Sequence, residues 1–322
     1  MTPQVPYVSV VDPIGPAIER VKMILFRPFS LERWLVIGFC AWLAQLGEAG
    51  GGGGGGGGRT HYQPGQTDQV RNSAYQAKEF VLNNLHWIIP VAIIVVALII
   101  GLWLLITWLN SRGRFMFLYC VAQNKAEVRN PWHLFRDHGD SLFAFRIAVG
   151  IIGSIVMSAI AVAGGLLIYY SVTKSGFNAL SIFGIVAFSL LLLAAIVLLI
   201  VIGKFTKDFV VPIMYLHTPS AVQGWRVLLD ILSFNKGRFI LYLLFHILIS
   251  FAVGAMVVAV MCLTCCCAAC VFALPYIGTV ALLPVSTFMR SYSLYYLAQY
   301  GPQLNAIAPM PEMIPPAAPP LA

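Results

Sequence analysis

The chain has 322 residues, 59% of them hydrophobic and only 10% charged, with a mean hydropathy of +0.84. Soluble domains carry about 25% charged residues, so this composition excludes a water-soluble globule and points to a helical bundle facing lipid. The net charge of +8 is not gathered into a compact basic domain, which argues against nucleic acid and for lipid headgroups as the partner of the basic residues.

Residues 1–15 are a Pro-punctuated lead without a basic n-region, so no cleavable secretory signal is expected. From Pro16 a short amphipathic helix is predicted, with Ile18, Val21 and Leu25 on one face and Glu19, Arg20 and Lys22 off it. The first apolar span, Leu31 to Gly47, is near the lower length limit of about 17 residues. The nine glycines from Gly50 to Gly58 cannot bury side chains and mark a Gly-rich external loop over residues 50–66. Asp68 then opens a polar helix with Val70, Ala74, Ala77 and Val81 on one side.

Further spans are predicted at His86–Leu109, Leu142–Tyr170, Ala179–Ile202, Phe239–Met261 and Ala268–Phe288. Sixteen of the twenty Lys and Arg residues lie in the N-terminal segment, the second and fourth connections and the C-terminal segment, or at the span borders beside them. Cytoplasmic loops carry the Lys/Arg excess, so both termini are expected on the cytoplasmic side. The fold class is therefore all-α: a polytopic membrane bundle of six transmembrane helices plus interfacial amphipathic helices, over residues 16–300. Residues 301–322 form a Pro-rich tail expected to be disordered.

Spans two, four and six continue into aromatic tails, such as Arg114 to Tyr119, Asp208 to Tyr215 and Thr287 to Tyr296. Phe29 with Arg33-Trp34 is echoed by Phe234 with Arg238-Phe239. Two readings stay open: a threefold helical-hairpin repeat, or the aromatic and basic border that any six-span protein carries.

The stretch from Ile18 to Phe29, Arg33-Trp34, the Gly-rich loop, Arg112 to Phe117 and Arg290 to Leu297 together resemble a family of uncharacterised prokaryotic six-span membrane proteins. More distantly, the chain is similar to YciC-like proteins and to the membrane domain ahead of some glycerophosphodiester phosphodiesterases. The resemblance implies location in a prokaryotic plasma membrane. It supplies no catalytic residues.

Candidate sites are few. Arg20, Lys22, Arg27, Arg33, Arg226 and Arg238 border the spans and suit anionic headgroups. His246 is the one ionisable residue well inside a predicted span, a default functional hypothesis for which no mid-span charged partner is visible. Cys262, Cys265, Cys266, Cys267 and Cys270 form a thiol cluster open to three readings: apolar packing, oxidised or lipid-modified thiols, or metal ligands. Packing is preferred, because no His or carboxylate lies nearby. Cys40 and Cys120 are isolated in the sequence and read as packing residues. His133, Asp137 and His138 could share a helix face as a metal or acid–base group. Pro275 and Pro284 are expected to kink span six.

No catalytic motif is present, and no cofactor is expected. The preferred reading is a non-enzymatic membrane scaffold or accessory factor that engages lipid or another membrane protein, including a second copy of itself. The alternatives are a transporter or channel for a small or lipidic solute near His246, and a membrane-surface enzyme using His133, Asp137 and His138 on a lipid or phosphodiester.

Overall fold

The structure is a computed structural model that describes residues 8–47, 85–171, 173, 179–217, 220–264 and 274–307. The Gly-rich run, the polar helix from Asp68, Cys265, Cys266, Cys267, Cys270 and residues 308–322 of the Pro-rich tail lie outside the described residues. Among the described residues every regular element is helical. The helices are α1 (Ile14–Val21), α2 (Leu31–Gln45), α3 (Leu85–Gln123), α4 (Arg129–Leu134), α5 (Arg136–Tyr170) and α6 (Ala179–Phe205). They are followed by α7 (Val211–His217), α8 (Ala221–Phe234), α9 (Lys236–Leu263), α10 (Pro275–Ala281) and α11 (Leu283–Ala298). Two π-helical turns, Lys22–Phe26 and Thr206–Val210, extend α1 and join α6 to α7.

Four stretches are long and apolar enough to cross a bilayer: His86–Gln123, Arg136–Tyr170, Ile182–His217 and Lys236–Leu263. They contain predicted spans two, three and five, and span four from Ile182 onward. The aromatic tail of span two is the same helix continuing, and that of span four follows α6 through the π turn into α7. Of span six, residues 268–273 lie outside the described residues, and the part from Leu274 differs from expectation. Leu282 leaves helical geometry, and Pro275 and Pro284 each sit in the first turn of a new helix. A proline there loses no needed N–H and presets φ, so the two prolines start α10 and α11 instead of kinking one span. α2 has 15 residues, short of the usual transmembrane length of about 20.

The chain divides into two compact units. The smaller runs from Gln45 to Asn110. Within it the Asn110 side-chain amide donates to the Leu46 carbonyl at 2.9 Å, and Thr107 Oγ1 donates back to Trp103 O. Gly47, at φ +84°, takes a left-handed conformation that suits glycine.

The larger unit holds residues 1–44 and 111–322. Its core gathers the polar-flanked ends of the helices: Phe115 to Ala122 of α3, Phe205 to Met214, Phe239 and Tyr242 of α9, and Tyr292 to Leu297 of α11. Phe209 is central, with ring centroids 5.6 Å from Phe205, 5.2 Å from Phe239, 4.8 Å from Tyr242 and 6.0 Å from Tyr296. Aromatic pairs at these separations add about 0.5–1.5 kcal/mol each beyond area burial, which explains the density of Phe and Tyr in the tails.

α1 packs along α11. Its buried stripe is Ala17, Arg20, Val21, Ile24 and Leu25, whereas Ile18 is 42% exposed. The predicted face was therefore rotated, because an arginine inside the stripe read as a polar position. The segment before α1 is held to α11 and the residue after it: Ser9 N donates to Gln299 Oε1 at 2.7 Å, Gln299 Nε2 returns to Ser9 O, and Tyr292 OH donates to Val10 O at 3.0 Å.

α5 and α6 run antiparallel, as their short connection predicts. A Cβ at Gly153 would meet Leu199, one at Gly164 would strike the Phe188 ring, and one at Gly184 would touch Leu167. Pairs that descend on one helix as they rise on the other define an antiparallel register, and small residues let the helices approach. Gly165 faces open space, and Ser154 and Ser158 bond carbonyls of their own helix. Of these small residues on α5, Gly153 and Gly164 are the ones at the contact.

Cys40 and Cys120 are both fully buried with Sγ atoms 3.8 Å apart. Far from isolated, they face one another between α2 and the end of α3. Dibromobimane, which becomes fluorescent on bridging two nearby thiols, is expected to link Cys40 to Cys120. Peptide mass spectrometry should recover the joined pair, and recovery of either cysteine linked only to others would refute this packing.

Candidate functional site

The end of α3 is built by two arginines of the N-terminal segment. Asn124, at φ +54°, stops the helix in the left-handed conformation common just past a helix C-terminus. The last carbonyls then lack intrahelical donors. Arg20, only 1% exposed, supplies them: Nε and Nη2 reach Val121 O at 3.2 and 3.1 Å, and Nη2 reaches Ala122 O at 2.7 Å. Arg33 Nη2 donates to Asn124 O at 3.1 Å and Asn124 Oδ1 at 3.0 Å. Cations are favoured at a helix C-terminus by its dipole. Arg20 is therefore taken up inside the protein and is not a headgroup contact, since its fork is enclosed on the carbonyls it caps; Arg33 is half-buried in the same role.

The other four predicted headgroup residues lie differently. Lys22, Arg27 and Arg226 are exposed, Lys22 pairing with Glu19 at 2.7 Å. Arg238 is half-buried, and its carbonyl accepts from Tyr296 OH at 3.0 Å. Burial pushes the Tyr292 and Tyr296 phenols above their ordinary range, which keeps both as neutral donors.

His246 has charged neighbours that the sequence reading places beyond the end of span four. Lys204 and Asp208 lie in the continuation of α6, where Lys204 Nζ meets His246 Nε2 at 2.5 Å and Asp208 Oδ2 at 2.9 Å. Tyr242 OH, fully buried, donates to the same Asp208 oxygen at 3.0 Å. The group straddles the second π turn. A π turn shifts the carbonyl register and recurs at functional sites; here Arg290 Nη1 donates to Lys207 O at 2.6 Å. At the first π turn Trp34 Nε1 takes Leu25 O at 2.7 Å. Both irregular turns are thus fastened by a side chain from another element.

The second connection does not gather His133, Asp137 and His138. His133 and Asp137 are exposed, while His138 packs edge-on against Phe115 and Phe135 with centroids 5.7 and 5.4 Å away. Among the described residues no group of three His, Cys, Asp or Glu could hold a metal ion. Asp140 instead accepts Arg112 Nη2 on both oxygens, at 2.9 and 3.0 Å, with the guanidinium 5.2 Å over the Trp132 ring. Cys262, at the end of α9, is exposed.

Two surface cavities stand out. One, of about 360 Å³, is a wholly apolar groove along α9 between Leu241 and Phe251. The other, of about 440 Å³, opens between α5, α6 and the start of the buried part of α3. Arg114, Arg146 and Thr206 line its polar end, and Gly150, Gly153, Met157 and Leu199 continue it along the apolar helices. Arg114 is 6% exposed, and Arg146 Nη1 donates to Ser111 Oγ at 3.3 Å. The sequence analysis makes neither arginine a candidate site residue: Arg114 opens the aromatic tail of span two, and Arg146 lies four residues inside predicted span three.

Fold and site together define a helical protein with several helices apolar enough to span a membrane. The chain belongs to the family of unknown function DUF7544, whose model matches residues 8–283. No curated protein and no solved structure matches it.

Proposed function

We propose that the protein is a non-enzymatic scaffold of a prokaryotic plasma membrane that crosses the bilayer six times and engages lipid at its cytoplasmic face. In this reading α2 and the α10–α11 pair supply the two crossings beyond the four long apolar helices. The hydrogen bonds joining Ser9 and Val10 to Gln299 and Tyr292 support an even number of crossings, since groups in direct contact lie on one side of a bilayer. The likeness to YciC-like proteins and to the phosphodiesterase membrane domain rests on the border motifs alone.

The observation that carries the proposal is where the charges go. Arg20 and Lys204 with Asp208 are engaged inside the protein and Arg112 is held by a half-exposed Asp140, whereas Lys22, Arg27 and Arg226 are exposed. That distribution suits a fixed body held against anionic headgroups. Transport is the second reading, favoured by the ionisable group around His246; neither cavity described above is lined by His246. Native mass spectrometry of the detergent-purified protein is expected to reveal retained phospholipid. A stoichiometric metal adduct with no lipid would refute the scaffold reading and revive the enzymatic one.

A further inference from the structure

The 440 Å³ cleft has a graded chemistry. At one end are two guanidinium groups, Arg114 and Arg146, with the Thr206 hydroxyl; no carboxylate is among its lining residues. From there the lining on α5 passes through Val149, Gly150 and Gly153 to Met157, facing Leu199 and Ile202 of α6. Arg146 to Met157 is eleven residues, or about 16 Å of helix at 1.5 Å per residue. Half of a hydrocarbon core about 30 Å thick is about 15 Å. A cationic pocket continuous with an apolar groove one leaflet deep matches an anionic headgroup with its attached acyl chain.

We infer that this cleft is a specific site for one anionic glycerophospholipid, with its phosphate on Arg114 and Arg146 and one acyl chain in the groove between α5 and α6. Guanidinium groups bind phosphate through paired, charge-assisted hydrogen bonds. Gly150 and Gly203 leave room for the chain, since a Cβ at either would meet no neighbouring atom within 4 Å. The site deepens the scaffold reading and rests on it.

The test is a titration followed by native mass spectrometry, using the full chain in detergent. Phosphatidylglycerol and phosphatidylcholine with identical acyl chains are compared, and sn-glycerol 3-phosphate serves as the headgroup without a chain. Arg146→Gln removes one phosphate ligand. Gly150→Leu puts a bulky side chain into the groove from a position whose Cβ meets no neighbour, and carries the test should Arg146→Gln fail to fold. Phosphatidylglycerol is expected to bind wild type most tightly, and both variants are expected to weaken it about tenfold, the effect of about 1.4 kcal/mol, with phosphatidylcholine unaffected. Lipid retained equally by wild type and both variants would overturn the site while leaving the scaffold reading standing. Equal binding of sn-glycerol 3-phosphate would overturn the acyl-chain assignment. Absence of any retained lipid from wild type would overturn the scaffold reading together with the site.

Discussion

Replacing Arg20 with methionine is expected to lower the melting temperature in detergent more than any other single change in the N-terminal segment. The guanidinium makes three hydrogen bonds to Val121 O and Ala122 O, all buried. Methionine fills similar volume but returns those carbonyls to the unpaired state of a bare helix end. Hydrogen bonds to a charged group contribute about 1.5–3 kcal/mol net, and the three share one side chain, so a total near 3 kcal/mol is a reasonable scale. At about 2–4 °C per kcal/mol for a domain of 150–250 residues, the expected shift is about 6–12 °C. Burial draws the Arg20 guanidinium below its ordinary value, with nearby Tyr295 opposing, but arginine remains charged at any working pH. Lysine should recover only part of the loss, because a single ammonium cannot serve both carbonyls in the fork geometry. Thermal melting by intrinsic fluorescence decides the matter: Arg20→Met melting within a degree of wild type would remove the capping role.

The contrast between Arg20 and Arg226 explains what sequence could and could not disclose. Both sit beside apolar residues at helical spacing and both count toward the basic border. Position relative to the spans is a one-dimensional property, so hydropathy and the distribution of Lys and Arg bring out the long helices well. Whether an arginine faces headgroups or a helix end depends on which other helix stops beside it, and that is set by tertiary packing. Cys40 and Cys120, 80 residues apart in the chain, were unreadable as a pair for the same reason. Lys204 and Asp208 differ: the sequence places them where span four passes into its aromatic tail, and nothing in it shows that His246 of another helix meets them there. The π register itself carries no sequence mark, and neither does the cleft, whose arginines come from two helices 32 positions apart in the chain.

Lys204 and Asp208 should show the strongest coupling in the protein, with unequal single-substitution costs. Lys204→Met leaves the Asp208 carboxylate, 8% exposed in its side chain, in a buried setting without its ion-pair partner, though it keeps the Tyr242 hydroxyl as a donor. Breaking a buried pair by removing one partner costs about 3–5 kcal/mol. Asp208→Leu leaves the lysine instead, and the Lys204 side chain is 24% exposed. A lysine can carry its ammonium outward on a flexible stem, so this loss should fall nearer 2 kcal/mol, below the range for a fully buried charge. The double variant removes both charges and leaves apolar side chains of similar volume, a change that is often neutral. It is therefore expected to melt within a few degrees of wild type, well above either single variant, and the cycle should give a coupling of about 4 kcal/mol or more, above the usual range for contacting residues because each single variant strands a charge. Additive losses would mean that the ion pair contributes nothing beyond its separate side chains. Recovery of stability in the double variant with lipid retention unchanged would assign the His246 group to holding the helices together. Recovery with altered solute flux in proteoliposomes would assign it to a transport path, because a merely structural pair exchanged for apolar residues has no reason to change permeability.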